Sequence, residues 1–595
     1  MKPFCRWVVF SLALLAFLAP FKFGTPIILQ TRLAPPDGFL DWVIEPWPNQ
    51  IGFMFAVAAL LWFVLDSGRF AARVDVLFVL PLVFLLTQAA ATPGSINRQL
   101  SMDTLTYFAV CVLVFYAAAW YVRDGGSASW IFCGLALATL IVCVKAFRQG
   151  LGELQEAREF AALYLDPSNV PPDFLLKLTS NRVFAWFGGY PNALAGYLVV
   201  AFAPTLGWTL IRARNWNARV KTATLIFVGA MMVFCLVLTG SRGGVVAFIL
   251  MLVAALMGLA TGRARRNLAI AMVVVAPLAV WLAREQGLLR LGAESLEARR
   301  DYWRGAVAIA RDHLWLGTGP GTFGSIYPKY KTATTEEAQL AHNSFLQMWS
   351  DSGVVAFVAF AALWLWAMRD ALVLARQRRG DVAATAVCAA LVGWSAHNLL
   401  DFDLYVPGVG IPAFLMLGVL QGLKDLPNVK PVTPQGGLKW LIAALCAAVV
   451  GAAVWMEGRS LAASYENGLA QQVERTDPAL ALDAARRAAK LVPHSAHYQA
   501  AAGYLAMRLG LFDDAVASYQ AAVANDPYRA SLHWRLAHAL KAADGELTDE
   551  AIEQFRQAAQ LNPTNKRYSK ELETPEESVR QPPSDLLESP PAKDE

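Results

Sequence analysis

Two arginine-bearing segments and one histidine carry most of the chemistry readable in this chain of 595 residues. Thr239-Gly240-Ser241-Arg242-Gly243-Gly244 lies between two apolar runs, where a guanidinium is costly unless it meets an aqueous cavity or an anion. The glycines around it clear space for a ligand or backbone; a snorkelling interfacial arginine is the plainer alternative. Further along, Arg300-Asp301-Tyr302-Trp303-Arg304 continues to Arg311, and a helix there would set Arg300, Arg304 and Arg311 on one stripe, either facing an anion or solvated. Gly317, Gly319 and Gly321 alternate in Leu316–Phe323, a pattern that can expose backbone N–H groups to an anion. No Lys-Ser/Thr pair follows, as a nucleotide-binding loop would require. Ala341-His342-Asn343-Ser344 offers a proton acceptor just before an apolar run, with Asn343 or Ser344 as a helix cap. His397, Asn398, Asp401 and Asp403 end another apolar run. Asp401-Phe402-Asp403 has a metal-holding form, but structural polar bonding explains so short a motif better.

The elements that must position these residues are membrane spans. The composition is 56% hydrophobic and 16% charged, against about 25% charged in an ordinary soluble domain, which excludes a soluble globular enzyme and a disordered chain. The last 138 residues carry a net charge of −5, leaving +10 for residues 1–457. That excess is expected beside membrane spans and does not point to nucleic acid. Runs of about 20 apolar residues centre near residues 14, 58, 82, 113, 138, 200, 231, 252, 275, 356, 391, 415 and 447. The sequence therefore predicts an all-α, polytopic fold of about 12–13 transmembrane helices. The first run follows Lys2 and Arg6, but Phe21-Lys22-Phe23 offers no cleavage site, so it reads as an uncleaved span. Strongly basic short loops, such as Arg212 to Lys221 and Arg369 to Arg379, all fall on one side. With a cytoplasmic N-terminus, the opposite side receives residues 24–50, 148–185, the large loop 284–344 and the tail. The cysteines lie in apolar runs, and no disulfide framework or zinc site is readable.

The tail contains an internal repeat. Ala481, Ala485, Ala488 and Pro493 recur as Ala515, Tyr519, Ala522 and Pro527, then as Ala551, Phe555, Ala558 and Pro563. A period near 34 with this pattern resembles the tetratricopeptide repeat of paired helices. Residues 458–570 are expected to be a soluble helical-repeat domain that binds a protein partner, and 571–595, rich in Pro, Glu and Ser, a disordered tail.

Thr239–Gly244 at the end of a span, Arg300-x-x-Trp303 and the Gly317–Phe323 stretch in a long loop, then Ala341–Ser344 before the next span, together resemble the O-antigen ligase and O-antigen polymerase superfamily. The likeness covers about residues 180–425, and His397 to Phe402 is similar to relatives that end in tetratricopeptide repeats. The resemblance implies a glycosyltransferase of the bacterial inner membrane acting at the periplasmic face, without metal, nucleotide or other cofactor. Its donor would be an undecaprenyl-pyrophosphate-linked glycan, its acceptor a hydroxyl on a lipid-linked or other glycan. Arg242, Arg300 and His342 would be the catalytic set, with Arg304 competing for the loop-arginine role. Ser241, Gly317, Gly319, Gly321, Asn343 and His397 are candidates to line the substrate.

That chemistry is physically coherent. Two fixed guanidinium groups can bind a departing pyrophosphate and stabilise its charge, and a histidine can deprotonate a sugar hydroxyl. The leading reading is ligase; polymerase and protein O-oligosaccharyltransferase share its motifs. A different class, an anion transporter for inorganic carbon, would need matching broken helices in the two halves, which the sequence lacks. A scaffold would need neither Arg242 nor the glycine-rich loop.

Overall fold

The computed structural model describes residues 3–32, 36, 38–53, 74–164, 181–259, 293–332, 337–425 and 437–573, and these are helical with no strand among them. The expected spans near residues 58 and 275, and most of the expected disordered tail, lie outside the described residues. The helices are α1 (Pro3–Lys22), α2 (Phe39–Ile44), α3 (Val76–Ala91), α4 (Arg98–Arg123), α5 (Ser129–Arg148), α6 (Leu154–Tyr164), α7 (Pro191–Arg212), α8 (Ala218–Leu238) and α9 (Arg242–Leu259). Then follow α10 (Ala293–Asp312), α11 (Ser344–Gln377), α12 (Val382–Asn398), α13 (Pro407–Leu423) and α14 (Gly437–Val473). Six helical stretches among the described residues are long and apolar enough to cross a membrane, and α1, α3 and α13 supply shorter apolar ones. The protein is a multi-pass membrane protein.

Helix starts follow their caps. Asp75, Asn97 and Asp381 accept N–H bonds at the beginnings of α3, α4 and α12, and Pro191 and Pro407 open α7 and α13. At one end of the bundle Lys424 Nζ pairs with Asp75 (2.5 Å) and with Asp370, while Arg123 and Arg378 reach Gln421 O and Asp425. Residues of three of the short basic loops therefore meet in space.

The opposite end is organised by a break in α11. Gly353 has φ 78° and ψ 179°, which frees backbone groups that must be satisfied elsewhere. The loop after α10 supplies them: Thr318 and Gly319 N–H donate to Ser350 and Asp351 O (3.3 and 2.7 Å), and Val354 N–H donates to Leu314 O (2.8 Å). The broken helix thus holds a protein loop and does not line an open path.

Beyond α14 come α15 (Pro478–Leu491), α16 (Ala496–Arg508), α17 (Phe512–Asn525), α18 (Ala530–Asp544), α19 (Asp549–Leu561) and α20 (Lys566–Glu573), each packed on its predecessor. Ala481, Ala485, Ala488, Ala515, Tyr519, Ala522, Ala551, Phe555 and Ala558 are all fully buried. The residues that recur in sequence are the ones that form the core. The array also leans on the loop end of the bundle: Asn562 Nδ2 donates to Glu337 (2.7 Å), and Lys329 lies over the Tyr528 ring.

Candidate functional site

The Thr239–Gly244 turn joins α8 to α9. Gly240 has φ 60°, and a Cβ there would stand 3.2 Å from Arg182 Nε, so glycine suits both the conformation and the space. Ser241 Oγ accepts Gly244 N–H at 3.2 Å and is buried. It caps α9. Gly244 lets α9 approach α7, because a Cβ would meet Ala195 Cβ at 2.7 Å. Arg242, the first residue of α9, is exposed, and no carboxylate pairs with it among the described residues.

Arg182, absent from the sequence-derived set, reinforces this turn. Its guanidinium donates to Thr239 O and Asn192 Oδ1, both at 2.7 Å. Burial destabilises its cation; Asp401 counters this, while the neighbouring charges of Arg299 and Arg242 add to it, and the net shift is downward. The charges of Arg242 and Arg299 therefore both reach Arg182.

Arg299, and not Arg300 or Arg304, enters this cluster. Arg300 is exposed, and Arg304 is exposed and pairs with Asp301 on its own helix at 3.1 Å. Arg299 is mostly shielded, with 18% of its side chain exposed, and its Nη2 lies 3.4 Å from Asp401 Oδ2. Adjacent residues on a helix point about 100° apart, so the sequence identified the segment and the rotation of α10 selects the arginine.

His342 is the other partner of Asp401. Its Nδ1 stands 3.3 Å from Asp401 Oδ1, an ion-pair distance that falls short of a well-directed hydrogen bond. The ring is held by Tyr302, stacked at 5.9 Å, and Phe402, edge-on at 4.7 Å. His342 has φ 50°, a strained value for a residue other than glycine, and such strain concentrates where geometry matters for function. Asn343 caps α11 by accepting Phe345 and Leu346 N–H, and its Nδ2 donates to Leu399 O. It fixes the start of the helix that follows His342. Asp401 itself is 2% exposed. Burial pushes its carboxyl up, but His342, His397 and Arg299 overcome this and bring it to about 2.

The glycine-rich loop is packed backbone. Gly317 and Gly319 N–H donate to His313 and Asp351 carbonyls, and Gly321 N–H donates to the Asp351 carboxylate at 3.1 Å. A Cβ on Gly319 would stand 2.1 Å from Ser95 Oγ. These N–H groups are taken, so the expected anion cradle is replaced by a close-packing role. His397, expected to line the substrate, is fully buried, with Nδ1 2.7 Å from Asp403 Oδ2, beside the start of α9 at Gly243.

The assembled site has three guanidiniums, one buried carboxylate between two of its partners, and an imidazole on that carboxylate. Such an arrangement can hold a multiply charged anion and accept a proton beside it. Residues 226–361 match the family model described as O-antigen ligase. The match contains Arg242, Arg299 and His342; Arg182, Asp401 and His397 lie outside it. No curated protein matches the chain.

Proposed function

We propose that the protein transfers a glycan from an undecaprenyl-pyrophosphate carrier to an acceptor hydroxyl at the periplasmic face of the bacterial inner membrane, as an O-antigen-ligase-like enzyme. The observation that carries this reading is the nearness of Arg242 and Arg299 to Arg182, at a site where the buried carboxylate of Asp401 is shared between Arg299 and His342. Three guanidiniums against Asp401, with the second buried acid Asp403 matched by His397, leave positive charge that a pyrophosphate would neutralise.

In the proposed reaction the arginines hold the donor's pyrophosphate and His342 Nε2 takes the proton of the acceptor hydroxyl. The freed oxygen attacks the anomeric carbon, the bond from that carbon to the phosphate oxygen breaks, and its electron pair leaves with the pyrophosphate. The guanidiniums stabilise the charge gathered there. Asp401 orients His342 through Nδ1 and favours the imidazolium that forms. No step requires a metal. Residues 458–570 are proposed to be a tetratricopeptide domain that recruits a partner or acceptor, and also to brace the catalytic loop through Tyr528 and Asn562.

Purified full-length protein in vesicles with lipid-linked glycan and acceptor tests the reading. Transfer should occur in the presence of chelator, and His342→Ala should lower it by about 10²–10⁴-fold while donor binding persists. Full transfer by that variant would remove the base; anion uptake without transfer would identify a transporter.

A further inference from the structure

A second site lies away from the arginine cluster. A cavity of about 300 Å³ opens where the first turns of α4 meet α14 and the turn before α16, and none of its lining residues belongs to the site described above. Its polar wall is formed by Arg98, Gln99 and Asp103 on one side and Trp455, Glu457 and Arg459 on the other. Asp103 is 8% and Glu457 4% exposed, and they lie close enough for their charges to act on each other. Two carboxylates buried together disfavour each other unless a cation or a strong donor joins them. Gln99 Nε2 donates to Asp103 at 2.9 Å and Thr106 hydrogen-bonds Glu457, one donor to each acid, and neither donor carries a charge. The guanidinium of Arg459 donates to Leu491 O at 2.6 Å and lies 4.6 Å from the centre of the Trp455 ring.

The level of this cavity in the bilayer can be read from α14. Trp440 and Trp455 bracket the apolar part of the helix, and both rings are largely exposed. Their fifteen-residue separation spans about 22 Å at 1.5 Å per residue. Tryptophan gathers at membrane surfaces, and Glu457 lies two residues beyond Trp455, past the apolar run, which places the Asp103–Glu457 pair at headgroup depth.

We propose that this cavity binds the headgroup of a zwitterionic phospholipid bearing a primary amine, with the ammonium at Asp103 and Glu457 and the phosphate at Arg98 and Arg459. Separated pairs of acids and guanidiniums complement a headgroup that carries both charges. A neutral sugar would bring no cation to the acids, which would then share a proton, and an anionic headgroup without an amine would satisfy only the arginines. A primary ammonium presents three N–H donors, enough for both carboxylates, whereas a quaternary ammonium presents none. The lipid would tie the bundle to the root of the repeat array, beside the Gln50–Ser460 hydrogen bond at 3.2 Å.

Native mass spectrometry of the full-length protein, titrated with phosphatidylethanolamine, phosphatidylcholine or phosphatidylglycerol, tests the assignment. One phosphatidylethanolamine should be retained about tenfold more tightly than the other two, the scale of losing one charged hydrogen bond. Soluble O-phosphoethanolamine should compete with it if the headgroup is the recognised part. Asp103→Asn and Glu457→Gln should each remove the advantage of the primary amine, while Arg98→Ala, at an exposed position, should weaken phosphatidylethanolamine and leave the fold intact. The proposal fails if the wild-type protein shows no preference for the primary amine, if both carboxylate variants keep the preference, or if lipid-free oligosaccharide displaces the bound lipid.

Discussion

His342 Nδ1 lies 3.3 Å from Asp401 Oδ1, and the same carboxylate holds Arg299 through its other oxygen. One buried acid thus links the proposed base to a proposed phosphate ligand. When a pyrophosphate draws Arg299 away, the full charge of Asp401 remains for His342. In the proposed mechanism the base and the donor site are thus joined through one residue.

Asp401→Asn keeps the shape and removes the charge. Transfer should fall by at least about 10²-fold, because the imidazolium formed in the reaction loses its counter-charge and the tautomer is no longer fixed. Donor binding should change far less. Because the carboxyl of Asp401 titrates only near about 2, it stays charged across any practical assay range. Unchanged turnover in Asp401→Asn would break the link.

The two neighbouring loop arginines should separate cleanly. Arg299→Ala should weaken donor binding and transfer together, and Arg299→Lys should restore little, since lysine keeps the charge and loses the fork. Arg300→Ala, at an exposed position, should remain within about twofold of wild type, as surface substitutions usually do. Measuring donor affinity and transfer for the three variants decides the matter. The reverse pattern would mean that α10 turns by about 100° when substrate binds.

What the sequence reveals and what it hides divides along physical lines. Spans and repeats are one-dimensional signals: hydropathy marks the bundle, and the alanines and aromatics spaced 34 to 36 residues apart are the buried ones. The Thr239–Gly244 turn and His342 were legible because glycine, arginine and histidine beside apolar runs demand explanation. Arg182 was not, because nothing in its polar segment shows that its guanidinium bonds Thr239 O. Asp401 looked like half of a metal motif until the fold set it between Arg299 and His342. The glycine-rich loop misled because spacing reveals where glycine occurs, while only packing reveals that Ser95, Thr104 and Asp351 fill the space beside it.

Gly319→Ala therefore acts on the fold. The added methyl would meet Ser95 Oγ at 2.1 Å at a φ of 113°, and clash plus backbone strain should cost about 1–3 kcal/mol. Thermal unfolding should drop, with activity lost in parallel. Normal stability combined with lost donor binding would instead revive the anion cradle.

The repeat array should soften in acid through His538. Burial, then the charges of Lys541, Arg567 and Arg535, bring this imidazole down to about 3, and Trp534 and Phe555 pack edge-on against it. Below the unfolded value of about 6.5 the unfolded chain binds a proton that the folded one refuses. Stability therefore falls as pH drops from about 6.5 toward 3, by up to about 1.4 kcal/mol per pH unit. Hydrogen exchange across residues 530–561, corrected for intrinsic rates, should show protection at pH 7 that is lost near pH 5. His538→Gln should flatten this dependence, and an equal loss in the variant would assign it to other groups.

Tyr528 determines whether the repeats do more than recruit. It packs on the cluster of Tyr302, Phe323 and Tyr327, and Tyr302 in turn stacks on His342. Contact therefore runs from the repeat array to the proposed base through three aromatic layers. Tyr528→Ala would strip one wall of that cluster and should cost about 1–3 kcal/mol locally. Exchange should rise across residues 323–330 and kcat should fall several-fold, with donor KM little changed, because the arginines are untouched. Truncation after Val473 should produce the same effect more strongly. Wild-type turnover in both, with unchanged exchange in the loop, would reduce the array to recruitment alone.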